Sequence, residues 1–214
     1  MARAGLKGGA EERGHSLTVP GAMNSDDFVT LTLRNPINEA VTREVATLAL
    51  PDAWLVAGCL TQSVWNAQTG RPIAYGISDY DVFYFDPDTS WDAEDAIIKR
   101  VQGRFAGCDA RIEIRNQARV HLWYPAKHGK PYAPLACATD GIDRFLTVNT
   151  QVGIRHTRNG YEVYAPKGFG DIADMIVRPN PSPNFSAANY TAKAERWKAL
   201  WPEIKVMATD GRRD

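Results

Sequence analysis

The feature that most constrains the fold is a run of four apolar residues, 82–85, that directly follows a pair of aspartates. The run reads Val-Phe-Tyr-Phe, and Asp79 and Asp81 stand at its start. A segment that is apolar at every position must be covered on both faces, so it predicts a central, buried strand. The two aspartates therefore lie at the entrance to a buried strand, where their charges need either water or a cation.

Helix and strand signals alternate around this run. Asn35 is typical of a helix N-cap before Pro36, and residues 53–58 predict a short buried strand that ends at Gly58. The next helix pattern ends at Gly70, a C-cap residue, and Ser90 caps a further amphipathic helix. Alternating helices and strands predict an α/β or α+β fold.

Residues 111–124 alternate in polarity for more than ten positions, which predicts one long strand. Its predicted apolar face carries Ile112, Ile114, Ala118, Val120 and Leu122. Its predicted polar face carries Glu113, Arg115, Gln117, Arg119 and His121.

The remainder of the chain predicts a smaller, mixed region. Asn159-Gly160 is a strong hairpin signal. Residues 168–178 predict a short helix before Pro179, and Ser186 caps a helix whose inner face carries apolar and aromatic residues. We expect a small helical C-terminal extension.

Composition narrows the classes of partner and compartment. Twenty-five basic and twenty-five acidic residues cancel, so no overall field attracts the chain to nucleic acid or to a membrane surface. The three cysteines form no zinc or disulfide pattern, which favours free thiols in the cytoplasm. No apolar run is long enough to cross a bilayer.

The chain divides into three segments by composition. Residues 1–23 predict a disordered leader without the apolar region of a secretory signal, and Met23 is a candidate native start. Residues 24–206 are expected to form one domain, and 207–214 a disordered tail.

The carboxylates predict a metal site. Residues two apart in a strand project to the same side, so Asp79 and Asp81 point together, and Glu113 reaches the same space if its strand lies alongside. Clustered carboxylates raise one another's pKa unless a cation compensates them, and oxygen donors suit Mg²⁺ or Mn²⁺. Two such ions support in-line phosphoryl displacement. Gly58 and Cys59, at a strand-to-helix turn, offer backbone N–H groups to a phosphate.

Simpler interpretations of the same residues stand beside this one. An Asp-x-Asp pair by itself is weak evidence and is typical of solvated strand ends, and no EF-hand glycine follows at the required position. Residues 83–85 are more typical of a core than of a base-stacking platform, and Arg119 and His121 are more typical of surface residues than of catalysts.

The combination of glycine turn, paired aspartates and a later acid resembles the polymerase-beta-type nucleotidyltransferase superfamily. More narrowly, the segments "AGCLTQSVWNAQTGRP", "ISDYDVFYFD", "RNQARVHLWY", "VGIR" and "GFGDIADMIVRPNP" resemble a bacterial family of uncharacterised nucleotidyltransferase-like proteins. The resemblance runs from about residue 49 to residue 206. It implies a five-stranded mixed sheet with packed helices, and transfer of a nucleoside monophosphate from a nucleoside triphosphate.

The resemblance also implies roles for individual residues. Asp79, Asp81 and Glu113 would be the catalytic metal ligands, and Gly58 with Cys59 would face the phosphates. Separately from the resemblance, three residues on the same predicted strand face as Glu113 are expected to contact phosphate or acceptor: Arg115, Arg119 and His121.

Two other functions remain open. Cys59 stands where the superfamily pattern has serine, and the spacing from Gly58 to Asp79 is longer, which motivates a non-catalytic nucleotide-binding or regulatory protein with a degenerate fold. A metal-dependent glycosyltransferase also uses Asp-x-Asp, but there the apolar strand precedes the motif. The acceptor, whether small molecule, protein or RNA, is not indicated by the sequence.

Overall fold

The computed structural model describes residues 22–209. Eight α-helices and seven strands are assigned in that part of the chain. In chain order they are α1 (Ser25–Thr32), α2 (Pro36–Thr47), β1 (Trp54–Val56), α3 (Gly58–Thr69), β2 (Tyr80–Tyr84), α4 (Trp91–Arg104), β3 (Ile112–Asn116), α5 (Val120–His128), α6 (Ala138–Ile142), β4 (Gly153–Thr157), β5 (Gly160–Tyr164), α7 (Gly170–Ala173), β6 (Ile176–Val177), α8 (Ala187–Leu200) and β7 (Lys205–Val206).

The main sheet has five strands in the order β3-β2-β1-β4-β5. Only β2 and β3 run parallel; the other three pairs are antiparallel, and β4 and β5 form the hairpin predicted at Asn159-Gly160. The sheet is therefore mixed and five-stranded, and β2, with a neighbour on each side, is an interior strand as predicted. The fold-class prediction of an α+β protein with helices packed on a mixed sheet is confirmed.

Four helices cover one face of this sheet. The core on that face contains Leu55, Val82, Ile114 and Ile154, one from each of four adjacent strands, and all are at most 2% exposed. Apolar residues of α1, α2, α3 and α4 complete the cluster. Burying this many aliphatic side chains supplies most of the driving force for folding, and we call this the closed face.

The opposite face is covered only in part. Trp54 and Val56 of β1 pack there against Ala138 and Ile142 of α6. Phe83 of β2 stacks on Phe145, which lies in the loop after α6, with ring centroids 5.2 Å apart. The side chains of Asp81 and Glu113 share this face, which we call the open face.

The C-terminal region packs against α3 through tryptophans. Trp65 meets Trp197 and Trp201 with ring centroids 5.4 and 5.6 Å apart. Trp201 Nε1 donates to Asn66 Oδ1, and the Asn66 amide donates to two carbonyls of the loop that follows α3. A Cβ added at Gly76 would lie 2.5 Å from the Trp201 ring, so this close approach requires glycine. These contacts hold the segment between Gly70 and Asp79 against α8.

Local signals placed most helices correctly. Asn35 and Ser90 cap α2 and α4 through their side chains, and Gly70 ends α3 in the left-handed conformation. Ser186 caps α8. Helix α1 was not predicted, although its capping box, Asn24 with Asp27, is visible in the sequence.

The prediction of one long strand over residues 111–124 is wrong. Strand β3 ends at Asn116, a 3₁₀ turn spans Gln117–Arg119, and α5 follows. The Asn116 side chain accepts from the Ala118 N–H, which turns the chain, and its backbone N–H donates to Glu94 of α4. An asparagine that hydrogen-bonds its own backbone competes with strand pairing and favours a turn.

Two expectations concern the ends of the chain. The predicted leader lies outside the described residues except for its last two, and Met23 is 9% exposed and belongs to the main core. Most of the predicted C-terminal tail, residues 210–214, also lies outside them. Between residues 22 and 209 no helix has the length and apolarity needed to cross a membrane.

Candidate active site

Strand pairing places two of the predicted acids side by side. Asp81 on β2 is the direct register partner of Glu113 on the parallel strand β3. Partners on adjacent strands lie about 4.8 Å apart and project to the same face. Asp79 stands immediately before β2, and its charge acts on Asp81. The backbone therefore brings the three predicted carboxylate positions to one edge of the open face.

The electrostatics of Asp81 reflect this crowding. Burial, followed by the nearby charges of Asp79 and Glu113, raises the pKa of Asp81 from 3.8 to about 7, against the opposing effect of Lys193 and Arg115. Ionised carboxylates held together in a partly desolvated site are unfavourable without a compensating cation. In the part of the chain that the structure describes, neither aspartate makes an ion pair within 4.0 Å.

The third acid, Glu113, forms an ion pair with a neighbouring arginine. Glu113 Oε1 accepts from Arg111 at 2.6 Å, and no group of three His, Cys, Asp or Glu side chains within residues 22–209 is arranged to hold a metal ion. The strands thus align as predicted, whereas the three side chains do not converge. The Arg111 side chain is 72% exposed, so this ion pair is a surface interaction of about 1 kcal/mol or less. The carboxylate donors still fit Mg²⁺ or Mn²⁺ if Glu113 turns away from Arg111.

The predicted phosphate seat lies at the start of α3. Ala57 has φ 64 and ψ -130, an uncommon conformation for a non-glycine residue, and no side chain caps the helix. The backbone N–H groups of Gly58 and Cys59 have no acceptor among residues 22–209. A Cβ on Gly58 would lie 2.9 Å from the amide nitrogen of Gln62. Free N–H groups at the positive end of a helix suit an anion.

Cys59 contributes to this seat through its backbone only. Its side chain is 2% exposed, packs in the main core, and donates from Sγ to the Val56 carbonyl. Burial, followed by the charges of Asp81 and Asp79, raises the pKa of the Cys59 thiol well above its ordinary value. The thiol is therefore protonated at neutral pH, and it is not a nucleophile.

Lys193 is a site residue that sequence reasoning missed. It lies on α8, its Nζ is 4.7 Å from the centre of the Trp197 ring, and its charge acts on both Asp81 and Asp79. Burial lowers the pKa of Lys193 to about 8, although the aspartates oppose the shift. The available signal was a lysine on the apolar stripe of α8, three residues after Tyr190 and four before Trp197.

The other predicted ligand-binding residues separate in the structure. Arg115 remains on the open face as the register partner of Phe83. Arg119 is 9% exposed and pairs with Glu94 of α4, while its Nε donates to the Thr89 carbonyl. His121 is on α5, with a buried Nδ1 that has no hydrogen-bond partner among the described residues. The predicted alignment of Arg119 and His121 with Glu113 on one strand is thus wrong, because β3 ends before them.

The fold has a counterpart among solved structures. One solved structure, described as an NMR structure that reveals a CCA-adding enzyme head domain, matches with a TM-score of 0.71 and 24% sequence identity. The match covers 87% of this chain and 97% of that chain. This likeness shows that the two chains share a fold.

The sequence then gives the family. The profile of a family described as nucleotidyltransferase matches residues 43–206, which include the glycine turn, all three acids and Lys193. The chain belongs to this nucleotidyltransferase family. No curated protein sequence matches the chain significantly.

Proposed function

We propose that this protein transfers a nucleoside monophosphate from a nucleoside triphosphate to an acceptor, in a reaction that depends on Mg²⁺ or Mn²⁺. The observation that carries the proposal is the register of Asp81 with Glu113, next to Asp79. Family membership supports nucleotidyl transfer in general. Metal dependence and the roles of individual residues are the additional content of the proposal.

Each group has a part in this reaction. The N–H groups of Gly58 and Cys59 would bind the outer phosphates of the donor, as helix N-termini bind anions. Asp79 and Asp81 would hold the divalent ions, and these ions would supply positive charge that neutralises the carboxylates and the reacting phosphoryl group. An acceptor oxygen forms a bond to the α-phosphorus while the bond from that phosphorus to the bridging oxygen breaks and pyrophosphate leaves. Glu113 would complete the site beside the acceptor and accept its proton.

A labelling experiment tests the proposal. The purified protein is incubated with each α-labelled nucleoside triphosphate, Mg²⁺ or Mn²⁺, and a cell extract fractionated into RNA, protein and small molecules. We expect label in one fraction, and its loss in the double variant Asp79→Asn/Asp81→Asn. Asp174→Asn, which changes an exposed aspartate outside the site, is the matched control. Unchanged labelling by the double variant would refute the proposal.

A non-catalytic nucleotide-binding protein is the second candidate. The ion pair between Glu113 and Arg111 and the buried thiol at position 59 favour it, because both remove groups that could act on a nucleotide. This function predicts that nucleotide with Mg²⁺ raises the melting temperature while no fraction is labelled. In either case we propose the cytoplasm as the location, in accord with three cysteines that form no disulfide.

A further inference from the structure

An aromatic pocket opens on the same face as the carboxylates. Its volume is about 180 Å³, and it lies between β2, β3, α5 and the loop after α6. That volume is below the roughly 300–1,000 Å³ of sites for drug-sized ligands, so it fits one planar ring system. Six lining residues carry the argument: Phe83, Arg115, Trp123, Tyr124, Tyr132 and Arg144.

The pocket lies beside Asp81 and Glu113, on the side away from the phosphate seat. Phe83 and Arg115 are register partners, and each lies two residues beyond Asp81 or Glu113 on the same face of its strand. Two residues of strand span about 7 Å. In the strand order β3-β2-β1, the phosphate seat follows β1, while the pocket lies over β2 and β3. A group held there is therefore on the Glu113 side of Asp81, away from the triphosphate.

The chemistry of the pocket is that of a nucleotide site. Tyr124 and Tyr132 have ring centroids 4.5 Å apart, and the Arg144 guanidinium lies 4.9 Å from the Tyr132 ring. Arg144 is held by a hydrogen bond to Asn184 Oδ1 at 2.8 Å. No acidic residue is among those that line the pocket. Aromatic faces stack on bases regardless of sequence, and arginine both stacks and binds phosphate.

The outer side of the pocket is also basic. Lys127 lies 5.5 Å from the Trp123 ring, and His128 lies 4.3 Å from the Tyr124 ring. Although the whole chain has zero formal net charge, α5 carries a lysine and two histidines and no acidic residue. A local basic surface beside stacking rings favours an anionic ligand that carries a base.

We propose that this pocket holds the terminal nucleotide of the acceptor, with its base against Tyr124 and Trp123 and its phosphate at Arg115 and Arg144. The inference rests on the proposed function for the assignment to the acceptor, but the binding itself does not require turnover. A free mononucleotide and the 3′ end of a single-stranded RNA share this chemistry. The experiment separates these two sources.

Binding is measured without any nucleoside triphosphate. Equilibrium dialysis measures the binding of three probes: AMP, ribose 5-phosphate and a short single-stranded RNA with a 3′ hydroxyl. We expect AMP or the RNA to bind roughly 5- to 100-fold more tightly than ribose 5-phosphate, because a base that stacks on an aromatic ring adds to the binding free energy. Tighter binding of the RNA than of AMP identifies an RNA end, and equal binding identifies a free nucleotide. Ribose 5-phosphate binding as tightly as AMP would overturn the proposal.

Paired variants locate the bound nucleotide. Tyr124→Leu and Arg144→Gln should each weaken AMP and RNA binding about tenfold or more, while Tyr124→Phe, which keeps the ring, binds like the wild type. Leu122→Ala changes an exposed neighbour on α5, 55% exposed, that does not line the pocket, and serves as the control. Wild-type binding by both Tyr124→Leu and Arg144→Gln would refute the site.

Two further measurements separate this inference from the proposed function. Asp79→Asn/Asp81→Asn should bind AMP or the RNA as the wild type does even if it transfers no label. Where turnover is observed, Tyr124→Leu should raise KM for the acceptor and leave KM for the nucleoside triphosphate unchanged. The reverse pattern would assign the pocket to the donor base and overturn the acceptor assignment.

Discussion

Two neighbouring residue rows of the main sheet cross the same four strands and face opposite sides. One row, Ile154, Leu55, Val82 and Ile114, lies on the closed face and is at most 2% exposed. The next row, Gly153, Val56, Asp81 and Glu113, lies on the open face and ends in two carboxylates. A shift of one residue along a strand thus separates the core from the candidate active site.

The difference shows how one strand serves stability and chemistry together. Val82 contributes apolar burial to the core, whereas Asp81 and Asp79 place like charges in a partly desolvated site. The closed face offsets the cost of that charge, since each buried aliphatic side chain is worth about 1.5–3 kcal/mol. Substitutions in the two rows should therefore change different measured quantities.

The largest expected effect is on stability, at Arg119, a residue that the sequence predicted to contact phosphate or acceptor. Arg119→Leu should lower the free energy of unfolding by about 3–5 kcal/mol, because it leaves the buried Glu94 carboxylate without its cation. Urea denaturation measures the change. Arg43→Leu, which removes an exposed ion pair with Glu39, should change it by less than about 1 kcal/mol. Wild-type stability of Arg119→Leu would contradict this structural role and would again favour Arg119 as a ligand-binding residue.

The next effect is loss of packing on the closed face. Ile114→Ala should lower the free energy of unfolding by about 2–5 kcal/mol through a cavity under the sheet. The same variant should retain nucleotide binding at temperatures where it is folded, because the neighbouring Glu113 faces the other way. Denaturation and a nucleotide-dependent shift in melting temperature are the two measurements. Lost nucleotide binding in a folded variant would contradict the separation of the two faces.

Glu113→Gln is the matched change on the open face of the same strand. We expect turnover to fall about 100-fold, equivalent to about 2.7 kcal/mol of transition-state stabilisation, while stability changes by less than about 1 kcal/mol. Arg111→Ala is the informative companion, since it removes the partner of Glu113 at 2.6 Å and leaves the carboxylate available. Turnover that falls equally in both variants would mean that the ion pair, rather than the free carboxylate, is the active arrangement.

The smallest effect has the opposite sign. The folded protein raises the pKa of Asp81 from 3.8 to about 7, so in the absence of metal its ionisation destabilises the fold as pH rises through that interval. Asp81→Asn should therefore raise the free energy of unfolding by about 1–3 kcal/mol at pH 8 and by little at pH 4. Thermal unfolding in EDTA at both pH values measures this. A melting temperature at pH 8 that is lower for Asp81→Asn than for the wild type would show that the Asp81 carboxylate stabilises the fold.

Local sequence signals correctly predicted those helices and strands whose ends are set by residues close to them in the sequence. Asn35, Gly70 and Ser90 act on backbone groups a few residues away, and the apolar run after Asp81 forms an interior strand. The length of β3 could not be predicted in this way. Residues 117–122 alternate as a strand would, but the Asn116 side chain and the buried pair of Glu94 with Arg119 favour a helical turn.

By itself the sequence determined the class of fold, the glycine turn at Gly58 and the position of two aspartates at the start of β2, because capping and hydrophobic periodicity are local. Only the tertiary structure decided which charges meet. It brought Lys193 towards Asp81 across more than a hundred residues and buried Arg119 against Glu94. Such encounters depend on how separate elements pack, and no pattern within one element encodes them.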